Sequence, residues 1–239
     1  MFHRMKQLTT KLSPNMHTTT ELHSEAARLS YLRQIQRDAR REDVLDLPFR
    51  ELPVVIIDLE TNGFHPDKGD EILSIGAIKM KGEAIDKKGA FYATVQCVQP
   101  PSKEVLELTG LSERELMQSA SLADVLTDFY RFVGHTTLVA HHASHEKKFM
   151  AHATWQTLRT TFKHRIVDTS FLLKVVAPER KLRTLEECCA HYEINIAKRH
   201  HAQEDAIATA KLWGENVRRA QEAGFHSLRD VYMDLAKRT

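Results

Sequence analysis

The run Val54–Val55–Ile56–Ile57 is apolar at every position and β-branched throughout, the pattern of a strand buried on both faces. Two further runs, Ile72 to Met80 and Phe91 to Val98, also read as strands, with Gly69, Gly82 and Gly89 in the links. Together they predict an antiparallel three-stranded meander. The period then changes. Leu122 to Val133 is helical, Leu138–Val139–Ala140 is a short buried strand, Ser144 to about Leu158 is helical, and Ile166–Val167 is a fifth strand. Helices follow at Leu172 to Val176, Thr184 to Tyr192, Ala202 to Ala223 and Ser227 to Lys237. In the longest, Ala206, Ala210, Trp213 and Val217 form one apolar stripe.

Ahead of these elements, residues 1 to about 20 read as a polar, poorly ordered tail. Ser24 to Arg41 is helical in pattern, with Ser24 as its cap and Ala27, Tyr31, Leu32 and Ile35 on one face. Arg33, Arg37, Arg40 and Arg41 surround the rest. Pro48 and Pro53 break the chain before the first strand. The expected organisation is an N-terminal extension over 1–50 and an α/β domain over 51–239, a five-stranded mixed sheet flanked by helices. The extension is free to pack on the domain, dimerise or bind a partner, and its arginines permit contact with nucleic acid.

Composition changes this picture little. Hydrophobic residues are 42% and charged residues 28% of the 239, ordinary for a soluble globular protein. The net charge of +2 does not announce a polyanionic partner, but Lys147 to His200 holds eleven basic against five acidic residues, a local excess suited to phosphates or to a solvated face. Cys97, Cys188 and Cys189 form no CxxC pair, so a disulfide framework or cysteine zinc site is not expected, and a cytoplasmic location fits. No run approaches membrane-helix length. The N-terminus has no secretory h-region. Its Arg4, Lys6 and Lys11, with no acid before Glu21, leave a transit peptide as the alternative address.

Candidate chemistry sits in three places. In Ile56–Ile57–Asp58–Leu59–Glu60–Thr61, two acids end a buried strand and point to the same side, because side chains alternate. Such carboxylates repel unless a cation such as Mg²⁺ lies between them, although a strand end emerging into solvent also carries acids. In Leu138 to Glu146, a strand runs into a helix with Glu146 in its first turn, a placement the helix dipole favours by itself. His145–Glu146–Lys147–Lys148–Phe149 misses HExxH at Phe149, which excludes a zincin, and a zinc site on His141 and His145 lacks further ligands. Third, His200 precedes the longest helix and Asp205 sits in its first turns. A histidine there can take a proton from water near neutral pH, or be a plain loop residue.

Taken together, the motifs resemble the DEDDh exonucleases, which include the proofreading epsilon subunit of bacterial DNA polymerase III, RNase T and oligoribonuclease. Val54 to Gly63 (VVIIDLETNG) matches an apolar run followed by DxET, and His200 to Asp205 matches HxAxxD. LVAHHASHEKKFM stands where the family has an apolar run and H-N-A-x-F-D. Gly69 to Ala77 resembles the family's second strand, and Leu108–Thr109–Gly110–Leu111 the loop after the third. The resemblance spans about Val54 to Val217. It departs at His142, usually Asn, and at Glu146, usually Asp.

The resemblance implies an RNase H-like fold and a metal-dependent 3′→5′ exonuclease that releases nucleoside monophosphates from single-stranded ends. Asp58, Glu60, Glu146 and Asp205 would hold two Mg²⁺ or Mn²⁺ ions, about 4 Å apart in such sites, with His200 helping to activate water. The Glu146 departure would shift the metal preference towards Mn²⁺ or reduce activity. Asp168 is an alternative acid, read instead as a cap for the helix after it. Thr61, Asn62, Gly63 and Phe64 would line the terminal-nucleotide pocket, Leu111 would wedge against a base, and His142 replaces the family's Asn beside it. Lys147, Lys148, Lys198 and Arg199 would meet phosphates. A DNA substrate in repair or proofreading is favoured, with a polymerase partner as a separate protein. An RNA-trimming or oligoribonuclease activity, and a non-catalytic nucleic-acid-binding module, are the alternatives.

Overall fold

The computed structural model describes residues 15–39 and 44–238, with the backbone course alone for 15–25. Helix α1 runs Asn15–Ala39. The strands β1 (Pro53–Thr61), β2 (Ile72–Lys81) and β3 (Ala84–Thr94) follow. The short helices α2 (Lys103–Thr109) and α3 (Glu113–Gln118) lead to α4 (Leu122–Val133), β4 (Thr137–Ala140), α5 (Ser144–Leu158) and β5 (Ile166–Asp168). The chain ends in α6 (Ser170–Val176), α7 (Leu185–His191), α8 (Ala202–Glu222) and α9 (Leu228–Lys237).

The five strands form one sheet in the order β3-β2-β1-β4-β5. The expected meander is present, β1 with β2 and β2 with β3 antiparallel, while β4 runs parallel to β1 and β5 parallel to β4. This is the mixed sheet the sequence predicts. The alternation along β1 divides the core. Val55, Ile57 and Leu59 join the α1, α4 and α5 side, with Phe129, Tyr130, Phe149 and Met150. Val54 and Ile56 face the α6, α8 and α9 side, where Ala206, Ala210, Trp213 and Val217 form the predicted stripe. Asp58 and Glu60 continue that second face as the strand leaves the core.

Several boundaries differ from the sequence expectation. Gly89 is not in a link but inside β3, beside a register irregularity, and the hairpin turns at Gly82. Strand β3 ends at Thr94, and Val98 is exposed. Helices α2 and α3 were not expected; Ser102 and Ser112 cap them by accepting from the Val105 and Glu115 amides.

Helix α1 begins at Asn15, so residues 15–20 are helical rather than tail, and Ser24 lies within the helix instead of capping it. Arg40, Arg41 and the first fourteen residues fall outside the described residues. The inward face of α1 is Leu32, Ile35, Gln36 and Ala39, whereas Ala27 and Tyr31 are exposed. Arg33 donates Nε to the Leu158 carbonyl at 3.0 Å, at the last residue of α5, and Gln36 accepts from the Lys163 amide at 2.8 Å. Leu32 and Ile35 thus belong to the same core as β1. Among the described residues no helix is long and apolar enough to cross a membrane.

Candidate active site

Asp58, Glu60, Glu146, His200 and Asp205 line one cleft of about 480 Å³, together with Phe64, His141, His142, His145, Thr184, Leu185, Glu186 and Arg199. The cleft opens at the C-terminal ends of the parallel strands β1 and β4, the usual binding edge of such sheets. The functional side chains converge from three elements. Asp58 and Glu60 come from β1, Glu146 from the first turn of α5, and Asp205 from the first turn of α8. The approach of α8 depends on Gly76, the β2 partner of Asp58. A Cβ on Gly76 would stand 2.2 Å from the Ala202 carbonyl oxygen, so only glycine lets α8 start against the sheet at this height.

The strand-to-helix turn before Glu146 is held by Asp168. Its Oδ2 accepts from the Ala143 amide and its Oδ1 from the Ser170 amide, both at 2.8 Å. Asp168 thus anchors the start of α6, as expected, and also fixes the α5 entry. His142 precedes that turn with φ of 61°, a left-handed backbone that Asn and His accept more readily than most residues. That constraint accounts for His in a position the family fills with Asn. Beside it, His141 is fully engaged. Its Nε2 donates to the Arg183 carbonyl at 2.9 Å and its Nδ1 meets the Thr169 hydroxyl at 2.7 Å, which leaves no lone pair for a zinc ion.

The acids crowd one another in a buried setting. Glu60, Glu146 and Asp205 are 9%, 4% and 2% exposed. Burial, then the charges of Glu146, Glu60 and Asp205, push the Asp58 carboxyl well above the ordinary carboxylate range. Burial and Asp205 raise Glu60 to about 7. Burial, with Asp168 and Glu60, raises Glu146 to about 8. Two buried carboxylate oxygens, Glu146 Oε2 and Asp205 Oδ1, have no hydrogen-bond partner among the described residues. Ligand atoms of Glu60, His200 and Asp205 lie within 4.8 Å of one another. Hard oxygen donors, like charges brought together and buried oxygens without donors fit a divalent cation.

His200 has φ of 56°, a second left-handed non-glycine backbone at the cleft. The turn aims its amide at Asp205 Oδ2, 2.9 Å away. The same oxygen receives Arg199 Nη1, while Arg199 Nε donates to Glu186 at 2.6 Å. Although burial pushes Glu186 up, the hydrogen bond and charge of Arg199 hold its carboxyl down at about 2.

Of the expected substrate-binding residues, Phe64, His142 and Arg199 line the cleft and the others lie outside its lining. Thr61 donates its hydroxyl to the Gly63 carbonyl at 2.7 Å. Asn62 pairs with the Glu71 backbone, and a Cβ on Gly63 would meet the Asp70 carboxylate, so these three build the turn that presents the exposed Phe64. Leu111 is 7% exposed and packs on Leu73 and Leu116. Lys147 and Lys148 are exposed on α5 outside the cleft lining. The Lys198 ammonium lies against Gly110, which ends α2, where the helix's C-terminal carbonyls favour a cation. Arg199 is not a free phosphate contact, being paired with two carboxylates.

In the sequence His145 stood only as a rejected zinc ligand, and Glu186 carried no signal at all. His145 packs its ring edge-on against Phe64, at 5.8 Å between centroids, and its Nε2 lies 3.3 Å from the Thr61 hydroxyl. Because that hydroxyl donates to Gly63, His145 Nε2 carries the proton and donates, which leaves Nδ1 as the acceptor. Its position in the H-N-A-x-F-D match, where the family has Phe, was the available signal. Glu186 reaches the site from α7, and only the tertiary fold reveals it.

A five-stranded mixed sheet with an acid cleft at the end of its first strand is the architecture of an RNase H-like nuclease. The family model described as Exonuclease matches residues 55–213, and the chain belongs to that family. It is 34% identical over 172 residues to DNA polymerase III PolC-type of Bacillus subtilis (strain 168), a stretch covering 71% of this chain and 12% of that relative. The matched stretch is thus about an eighth of such a relative's length. Among solved structures, it resembles E. coli exonuclease I in complex with a dT13 oligonucleotide, with a TM-score of 0.60 and 14% identity, over 72% of this chain and 42% of that one. It also resembles a 3′-exonuclease described for 3′-end specific recognition of a histone mRNA stem-loop, with a TM-score of 0.62 and 14% identity, over 72% and 67% of the two chains.

Proposed function

We propose that this chain is a metal-dependent 3′→5′ exonuclease that releases nucleoside monophosphates from single-stranded DNA. The observation that carries the reading is the convergence of Asp58, Glu60, Glu146 and Asp205 with His200 in one cleft, where burial and neighbouring charges raise the Asp58, Glu60 and Glu146 carboxyls. The DxET and HxAxxD matches support the polarity through their resemblance to the DEDDh exonucleases. A DNA substrate is supported by likeness to DNA polymerases III, and a replicative or repair role with a polymerase as partner follows from the same likeness.

Asp58, Glu60, Glu146 and Asp205 would hold the Mg²⁺ or Mn²⁺ ions, with His200 at their edge. When bound, such ions supply Lewis acidity and neutralise charge on the reacting phosphate. The chain's residues supply the rest. The imidazole of His200 takes the proton of the attacking water at a ring nitrogen. The water oxygen bonds to phosphorus as the P–O3′ bond breaks, the leaving 3′-oxygen takes a proton from solvent water, and His200 returns its proton to solvent. Phe64 and His145 form the apolar edge against which the terminal base stacks.

The test is a competition between 5′-labelled DNA and RNA single strands of the same sequence, with Mg²⁺ or Mn²⁺. Stepwise shortening from the 3′ end, faster on DNA, is expected. Faster shortening of RNA would move the substrate class to RNA 3′-end trimming. Binding of both strands without cleavage would identify a non-catalytic module.

A further inference from the structure

Asp205 presents two unequal oxygens to the cleft. Oδ2 receives Arg199 Nη1 and the His200 amide, whereas Oδ1 has no partner among the described residues. Arg199 therefore stands as a cation among the acids, and its charge acts on Asp58 and Glu60 as well. A divalent ion held by the carboxylates of Glu60 and Asp205, whose oxygens lie within 4.8 Å of one another, would compete with the guanidinium for the same carboxylate. The guanidinium has a second anchor. Its Nε side is bonded to Glu186 at 2.6 Å, in the first turn of α7, so the Nη1 contact can open while the Nε contact holds.

We propose that Arg199 is a built-in counter-cation which divalent metal displaces from Asp205, and that Glu186 is the positioning residue that receives it. The inference rests on the metal-site reading above. It makes metal affinity depend on two residues outside the metal-binding set, with opposite signs. Removing Arg199 abolishes the competitor. Removing the Glu186 charge leaves Asp205 as the carboxylate that Arg199 pairs with directly among the described residues, so the latch tightens.

The experiment is calorimetric titration of Mn²⁺ into the full chain and its Arg199→Gln, Arg199→Lys and Glu186→Gln variants, with folding checked by circular dichroism. Arg199→Gln should bind Mn²⁺ about tenfold tighter, and Glu186→Gln about tenfold weaker. Arg199→Lys, which keeps the charge without the two-sided fork, should fall between wild type and Arg199→Gln. A loss of site integrity alone would weaken binding in every variant and overturn the proposal, as would unchanged affinity in Arg199→Gln. Should Arg199→Gln fail to fold, Glu186→Gln decides alone, and unchanged or tighter binding there overturns the latch. Absence of Mn²⁺ binding by the wild type would overturn the metal reading itself, and the latch with it.

Discussion

Gly76 and Ala202 touch backbone to backbone, and this contact sets the height at which α8 meets the sheet. Gly76 is also the strand partner of Asp58, so one residue without a side chain lets the third acid, Asp205, descend onto the first two. Gly76→Ala would place a methyl group 2.2 Å from the Ala202 carbonyl oxygen, and the helix must yield. We predict destabilisation of about 1–3 kcal/mol, the scale of an overpacked core, and a loss of nuclease rate larger than the loss of stability explains. Urea denaturation beside the cleavage rate checks this. A variant with unchanged stability and rate would show that α8 does not depend on this contact.

Asp168 acts through Glu146. Both of its oxygens are taken by backbone amides, Ala143 on one side and Ser170 on the other. Asp168→Asn turns one acceptor into a donor facing an amide. The expected cost is about 1–3 kcal/mol of stability, with reduced Mg²⁺-dependent activity. Higher metal concentration should recover part of that activity. Undiminished stability would remove the anchoring role.

Glu146 is the acid that departs from the family's Asp. It is buried, and its Oε2 has no hydrogen-bond partner among the described residues. Glu146→Asp should keep or improve the Mg²⁺-dependent rate, because the oxygen chemistry is retained. Glu146→Ala should lower it by roughly a hundredfold or more, the scale of losing one preorganised group at a reacting phosphate. Indifference to Glu146→Ala in a rate measurement would exclude it as a ligand.

The pH dependence of stability has a definite sign. The Glu60 and Glu146 carboxyls are raised from near 4.5 to about 7 and about 8. Between about pH 4.5 and 8 the folded chain therefore holds protons that the unfolded chain has lost. The contribution of these acids to stability is complete below pH 4.5 and fades as pH rises through that window. In EDTA, Tm should fall between pH 5 and pH 8, and Mn²⁺ at pH 8 should restore it with release of protons. A Tm in EDTA that climbs over this range would contradict the picture of the acid cluster.

Much of this was legible in the sequence where burial leaves a strong pattern. Strand β1 is apolar on both faces, and α4 shows its boundaries through periodicity. Helices α2 and α3, of seven and six residues, are too short to establish a period. Gly89 reads as a turn because a half-exposed edge strand such as β3 tolerates a glycine that a central strand would not. Asp58, Glu60, His200 and Asp205 were visible as motifs because each set is local in sequence. The Arg199–Glu186 pair and the two-amide hold of Asp168 were not, since they join elements that only folding brings together. The packing of Leu111 on Leu73 and Leu116 was not legible either, because a loop leucine carries no mark of which neighbours it meets.

The central claim is that the acid cleft cleaves phosphodiesters from the 3′ end with bound metal. Its most direct test is the cleavage ladder of 5′-labelled single-stranded DNA in Mg²⁺ and in EDTA, with wild type beside Asp58→Ala. The account predicts a ladder that shortens one nucleotide at a time in Mg²⁺, none in EDTA, and none with Asp58→Ala although that variant melts as a folded protein. Retained cleavage in a folded Asp58→Ala protein, or cleavage undiminished by EDTA, would contradict it.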